Sequence, residues 1–243
     1  MLGLGFGGLA ALFLLWHRQT PRRAALRGAL FGLGYFGVGV SWVFVAIHVF
    51  GHSHVLLAGL LTALFVAFFA LYPLLAGFLA ARYLNAAPRL QLLLFWPVLW
   101  MLMEWVRGWF LSGFPWLVAG YSFIDTPLAG FAPMIGVYGV TWLAGLMAGL
   151  LALAVIEGGR TRAWALAVIP CLFVAGAALQ TLRWTEPVGE PLKVALVQGN
   201  VPQAEGRFGA FHGMCAVTPR SILPRLVARG HAGSGGLLLT AGL

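Results

Sequence analysis

Long apolar runs separated by short polar loops dominate the first three quarters of this chain. They predict candidate membrane spans near residues 1–16, 28–49, 55–80, 91–110, 131–156 and 163–181. That makes about six, given that a hydrocarbon core of about 30 Å needs roughly 20 apolar residues per helix. The first run is short for a span and reads as one that has lost its beginning. After residue 182 the pattern changes. Arg183 to Leu192 is a polar linker with two prolines, Pro187 and Pro191. Lys193 to Val197 is a β-branched apolar run closed by Gln198-Gly199-Asn200, which predicts a strand and a turn opening an α/β domain. From Ala204 onward no helix or strand period is sustained. The expected organisation is a transmembrane helical domain over 1–182, a linker and first strand over 183–203, and a divergent, disordered tail over 204–243. The fold class is mainly α: a multi-span transmembrane helix bundle followed by the first strand of an incomplete α/β domain.

Composition supports the membrane reading. Of the 243 residues, 61% are hydrophobic and 9% charged, against about 25% charged in soluble domains. No soluble fold of this size could hide so much apolar surface. The net charge of +9 does not point to nucleic acid, because the arginines lie in short loops between apolar runs, where they orient the chain in a bilayer. Loop 17–27 carries Arg18, Arg22, Arg23 and Arg27; loop 81–90 carries Arg82 and Arg89; loop 157–162 carries Arg160 and Arg162. The alternate loops, 50–54 and 111–130, contain no Lys or Arg. The arginine loops are therefore expected in the cytoplasm, with the amino terminus and everything after about residue 182 on the far side.

Small residues and prolines shape the spans. Gly28/Gly32 and Gly145/Gly149 have the spacing that lets helices approach closely, within this bundle or between copies. Pro73, Pro97 and Pro170 are expected kinks.

The segment Glu104 to Tyr138 joins two apolar runs and is crowded with Trp, Phe, Tyr, Pro and Gly. Glu104 and Arg107 stand at i, i+3 and share a helix face. They read either as a lipid-headgroup or acceptor contact or as a structural ion pair. Trp105, Trp109, Trp116 and Tyr121 read as belt anchors at headgroup level or as the lining of a lipid cleft. Asp125 reads as a turn cap with Thr126 and Pro127, or as a contact to a further domain. The candidate lipid- or substrate-contacting residues are Glu104, Arg107, Trp109, Trp116, Tyr121 and Asp125.

Other chemistry is sparse. His48, His52 and His54 crowd one short loop, but no carboxylate or Cys accompanies them, so a polar interfacial turn is expected and a metal is not. Cys171 lies in an apolar run, as a small core or lipid-facing residue, and Cys171 and Cys215 fit no metal-type spacing. No cofactor is expected.

Three segments together resemble the bacterial apolipoprotein N-acyltransferases. They are Gly34 to Val43 (GYFGVGVSWV), the run from Glu104 to Gly136, and KVALVQGNVPQ from Lys193 to Gln203. The resemblance covers roughly residues 1–203. It implies an eight-span bundle of the bacterial inner membrane, with a periplasmic nitrilase-like domain inserted before the last span; the runs here match the family's second to seventh spans. It implies acyl transfer in two steps: a Cys thiolate takes an acyl chain from a phospholipid, and the α-amine of an apolipoprotein's diacylglyceryl-cysteine then attacks the thioester. A Glu serves as general base and a Lys steadies the oxyanion. Phospholipid and apolipoprotein are thus the implied partners.

The departure comes after Gln203. The family's catalytic Glu, Lys and Cys segments have no match. Lys193, the chain's only Lys, opens the first strand, and Cys215 in GMCAVT lacks the acidic residue that follows the family nucleophile. Glu205 has no matching context. The tail, with one acid and four arginines among many Gly and Ala, reads as a shifted frame. The chain is therefore expected to be inactive alone, with no catalytic residue assigned. The alternatives are a non-enzymatic lipid- or lipoprotein-binding membrane module and a small transporter, for which an internal repeat would be expected.

Overall fold

Eight α-helical segments follow one another along the residues that the computed structural model describes, 2–84 and 86–186. They are α1 (Leu2–Trp16), α2 (Pro21–Gly39), α3 (Trp42–Val45), α4 (Val55–Tyr83), α5 (Pro88–Leu90), α6 (Trp96–Trp109), α7 (Ala132–Ile156) and α8 (Gly159–Gln180). No strand occurs among the described residues. The expected strand at 193–197 and the tail from 204 lie outside them. Local sequence explains the boundaries. Pro21 stands in the first turn of α2, where its missing N–H costs nothing. His54 caps α4 by accepting the Leu56 N–H at 3.3 Å.

Four helical stretches are long and apolar enough to cross a membrane: Val55–Tyr83, Pro88–Trp109, Pro127–Ile156 and Gly159–Gln180. A fifth span arises if Pro21–Gly39 and Trp42–Phe50, bent by 50° against each other, count as one. Against the expected six or so, the described residues hold four, or five with the bent pair. The 1–16 run forms a helix of 15 residues, about 22 Å at the usual rise, which is short of the roughly 30 Å core. It is nonetheless central. Leu9, Leu12, Phe13 and Trp16 are buried, and Trp16 packs edge-on against Trp96 at 6.0 Å between ring centroids.

The break in the second span falls at Val40 and Ser41. Gly39 leaves space there that the Leu117 side chain fills; a Cβ at residue 39 would collide with it. Pro73 and Pro170 lie inside single helices of 29 and 22 residues. The irregular turn near Pro97 is the π-helical Gln91–Phe95 just before it.

Small residues set the closest packing. A Cβ at Gly28 would strike the Pro73 carbonyl, and one at Gly32 would lie 2.6 Å from Pro73 Cγ and 2.9 Å from Ala70 Cα. α2 and α4 therefore touch backbone to backbone. Gly145 and Gly149 do the same on α7, against Pro97 and the Leu92 carbonyl. Both small-residue pairs serve contacts within the bundle. α7 is its central helix: 67% of its most apolar window is buried, against 11% for α8. At the arginine-loop end, Arg89 Nη2 reaches Glu157 Oε2 at 2.8 Å and Thr161 Oγ1 at 2.9 Å, tying α5 to the α7–α8 turn. This is the one salt bridge among the described residues.

Candidate functional site

The chain after α6 folds back onto the helix it has just left. Leu111, Gly113 and Leu117 take left-handed φ values of 49°, 77° and 58°. Only glycine adopts that region without cost, so two leucines there need outside support. Arg107 provides it. Phe114 N–H donates to the Arg107 carbonyl at 2.8 Å. The Arg107 guanidinium donates to the carbonyls of Phe114 (2.8 Å), Trp116 and Leu117 (3.2 Å). Tyr35 Oη adds a second donor to the Leu117 carbonyl at 2.8 Å. The guanidinium carbon lies 5.4 Å from the centroid of the Phe36 ring. Arg107 is 2% exposed, so its charge is held by loop carbonyls and an aromatic face, not by water.

Glu104 holds the next stretch of the same loop. Its carboxylate accepts from Trp100 Nε1 (2.9 Å), from Ala119 N–H on both oxygens (3.1 and 3.2 Å) and from Thr141 Oγ1 (2.9 Å). Thr141 Oγ1 in turn accepts from Gly120 N–H at 2.9 Å. Glu104 is 4% exposed and Thr141 fully buried. α6, α7 and the loop are thereby joined by one buried polar network, in which partial satisfaction would be costly. Glu104 and Arg107 do not pair directly: each serves a different part of the loop. The ion pair, one of the two readings of the i, i+3 spacing, does not form; a two-sided clasp stands in its place.

The remaining candidates sit outside this clasp. Trp109, Trp116 and Tyr121 are each 55% exposed. Trp109 packs edge-on with Trp105 at 5.4 Å, and Trp116 lies 5.1 Å from Phe114 and 6.4 Å from Trp42. Asp125 is exposed between two short 3-10 turns, Ala119–Phe123 and Pro127–Phe131. Its neighbour Thr126 makes the turn bonds, through Oγ1 to the Phe123 carbonyl at 2.7 Å and its own carbonyl to Gln180 at 3.0 Å. Phe114, by contrast, points inward onto Phe69 (4.6 Å) and Phe65 (5.2 Å) of α4.

An apolar crevice of about 360 Å³ opens beside the clasp, lined by Leu9, Leu30, Phe31, Tyr35, Trp100 and Ala119 among others. Its size falls within the range of about 300–1,000 Å³ usual for small-molecule sites. Tyr35 and Trp100 also line the small cavity that touches Glu104 and Arg107.

The histidine loop uses its side chains internally. His48 Nδ1 lies 2.8 Å from the Ser53 carbonyl and His54 caps α4. Among the described residues no group of three or more His, Cys, Asp or Glu could hold a metal ion. Cys171 is exposed on α8.

Sequence reasoning found Glu104 and Arg107 but missed Thr141, Trp100, Tyr35 and the Leu117 carbonyl. Two signals were present. Trp100 stands four residues before Glu104, on the same helix face. Thr141 carries the one aliphatic hydroxyl of the apolar run 131–156, where a buried polar group calls for a partner.

Comparison with known proteins places this arrangement. The family described as the apolipoprotein N-acyltransferase N-terminal domain matches residues 2–150. Proteins called apolipoprotein N-acyltransferase are similar over most of the chain. The one from Methylococcus capsulatus is 48% identical over 195 residues, covering 80% of this chain and 39% of that protein. Those from Nitrosomonas europaea and Pseudomonas syringae pv. tomato are 45% and 46% identical, with the same coverage of 80% and 39%. The chain thus spans well under half the length of these relatives. The match contains α1 to α6, the clasped loop and Thr141, and on it the chain belongs to the apolipoprotein N-acyltransferase family.

Proposed function

We propose that this chain is the membrane part of a lipoprotein N-acyltransferase, and that its bundle presents phospholipid and apolipoprotein to acyl-transfer chemistry carried by a nitrilase-like domain. The observation that carries this reading is the clasp. The bundle commits a buried glutamate and a buried arginine, both expensive in a membrane, to fixing one aromatic loop. In this reading Trp109, Trp116, Tyr121 and Asp125 on the outer side of that loop contact lipid or substrate. Glu104 and Arg107 position them. The apolar crevice beside Tyr35 and Trp100 takes an acyl chain of the donor lipid.

The proposed location is the bacterial inner membrane. The arginine loops face the cytoplasm, and the clasped loop and the region after about residue 182 face the periplasm, as the arginine distribution favours. The chain by itself is proposed not to complete acyl transfer. Lys193 is its only lysine, and neither Cys215 nor Glu205 stands in a family-like catalytic context.

Complementation tests this. The chain is expressed in a bacterium depleted of its own N-acyltransferase, beside a chimera joining residues 1–203 to the continuation of the Methylococcus relative. The amino-terminal acylation of an abundant lipoprotein is then read by mass spectrometry. Triacylation from the chimera alone is the expected result. Triacylation from the chain alone overturns the proposal of inactivity. A chimera that accumulates in the membrane yet yields none overturns the proposed role of the bundle.

A further inference from the structure

A second cavity, of about 370 Å³, lies at the opposite end of the helices from the clasp, where α1 ends, α4 ends and α5 begins. Its lining includes Trp16, His17, Arg18, Gln19 and Trp96, and no acidic residue. Three buried polar atoms among these residues have no hydrogen-bond partner: Trp16 Nε1, Trp96 Nε1 and His17 Nδ1. Both tryptophans are 2% exposed. An indole N–H can only donate, and a buried donor without an acceptor is costly enough to be rare. Two tryptophans that carry such donors line one cavity, beside a guanidinium.

Arg18 is held at φ 53°, a left-handed conformation that costs energy for a non-glycine residue and concentrates at functional sites. His17 carries a pKa pushed below the usual histidine value by burial and then by Arg18. A neutral imidazole keeps one N–H to give and adds no charge of its own. Arg22, Arg23 and Arg27 follow in the first two turns of α2, and Arg82 ends α4. Clustered positive charge raises the local concentration of anions, including anionic lipid headgroups.

We propose that this cavity binds a phosphate-type oxyanion, either the headgroup phosphate of a phospholipid or the free ion, through Trp16, Trp96 and Arg18. The proposal is independent of the acyl-transfer reading, because it uses none of the clasp residues.

Native mass spectrometry of the detergent-purified chain tests it, by titration with phosphatidylglycerol and, separately, with inorganic phosphate. Trp96→Phe removes the indole N–H and keeps an aromatic ring; Arg18→Gln removes the charge at the cavity mouth; Trp184→Phe, an exposed tryptophan past the end of α8 and outside the cavity lining, is the control. The expected result is a phosphate-bearing adduct whose affinity falls about tenfold in each cavity variant, as for one hydrogen bond to a charged group, and stays unchanged in Trp184→Phe. Retention of phosphatidylglycerol without competition by phosphate identifies the lipid headgroup; binding and competition by phosphate identify the free ion. No adduct with either, or equal affinity in folded Trp96→Phe and Arg18→Gln, overturns the proposal. Should Trp96→Phe fail to fold, Arg18→Gln decides alone.

Discussion

Arg107 and Phe114 hold each other by both backbone and side chain. The Phe114 N–H donates to the Arg107 carbonyl at 2.8 Å, and the Arg107 guanidinium donates to the Phe114 carbonyl at 2.8 Å. The chain reverses between them through Leu111 and Gly113, both in the left-handed region. A side chain with a planar fork of donors is what such a reversal requires, because three carbonyls converge on it at once.

Arg107→Lys should therefore not be conservative. An ammonium cannot span the Phe114, Trp116 and Leu117 carbonyls in one plane, and about two charge-assisted bonds are lost. That is a cost of about 2–4 kcal/mol. Arg107→Gln should cost more than Arg107→Lys, because it also removes a positive charge that favours the buried Glu104 carboxylate. Thermal unfolding in detergent micelles measures both, and limited proteolysis within 110–118 should become faster first. Unfolding midpoints equal to the parent's would mean that the loop holds itself.

Thr141→Val keeps the shape of the side chain and removes the hydroxyl between Glu104 and Gly120. Gly120 N–H loses its acceptor and Glu104 one donor, for an expected loss of about 1–3 kcal/mol. Glu104→Gln should cost a similar amount. The double variant should lose less than the sum of the two, because the same network is broken by either change. Additive losses would show that the two residues act separately.

The helix contacts give a sharp contrast between glycines. Gly28→Ala places a methyl group onto the Pro73 carbonyl, and neither backbone can give way without parting α2 from α4. The monodisperse fraction on size exclusion should collapse. Gly37→Ala, on the same helix with nothing within 4 Å, should be neutral or slightly stabilising through helix propensity. Equal behaviour of the two variants would remove backbone contact as the reason for glycine at residue 28.

At the arginine-loop end, Glu157 has its pKa lowered, first by the hydrogen bond from Arg89. A depressed carboxylate stabilises the fold above its unfolded pKa, about 4.3, and that contribution fades as pH falls through the lower folded value. The pair is solvent-exposed, so the effect is small and screened by salt. Melting curves between neutral and acid pH should show a modest acid-side loss that Glu157→Gln abolishes and high salt weakens. An unchanged acid profile in Glu157→Gln would assign the loss to another group.

Much of this protein was legible in order of residues alone. The apolar runs located the long helices, although α2 starts at Pro21, inside the stretch read as a loop, and ends at Gly39; a helix in a bilayer must carry about 20 apolar residues in sequence, a one-dimensional condition. Gly28, Gly32, Gly145 and Gly149 announced close helix contact by spacing. Glu104 and Arg107 announced themselves by the cost of charge among apolar residues. What they bind was not legible. Their partners Thr141, Leu117 and Phe114 are brought to them by a chain reversal through left-handed leucines, which local propensity disfavours and only the assembled contacts support. The same holds for the first run, whose composition marked a short span and whose central burial follows from packing on α7. The cavity that joins Trp16 to Trp96 likewise exists only once residues 80 positions apart are in place. Sequence determined which segments leave water; tertiary structure decided which polar groups each segment must satisfy, because hydrogen-bond geometry depends on distances in space and not along the chain.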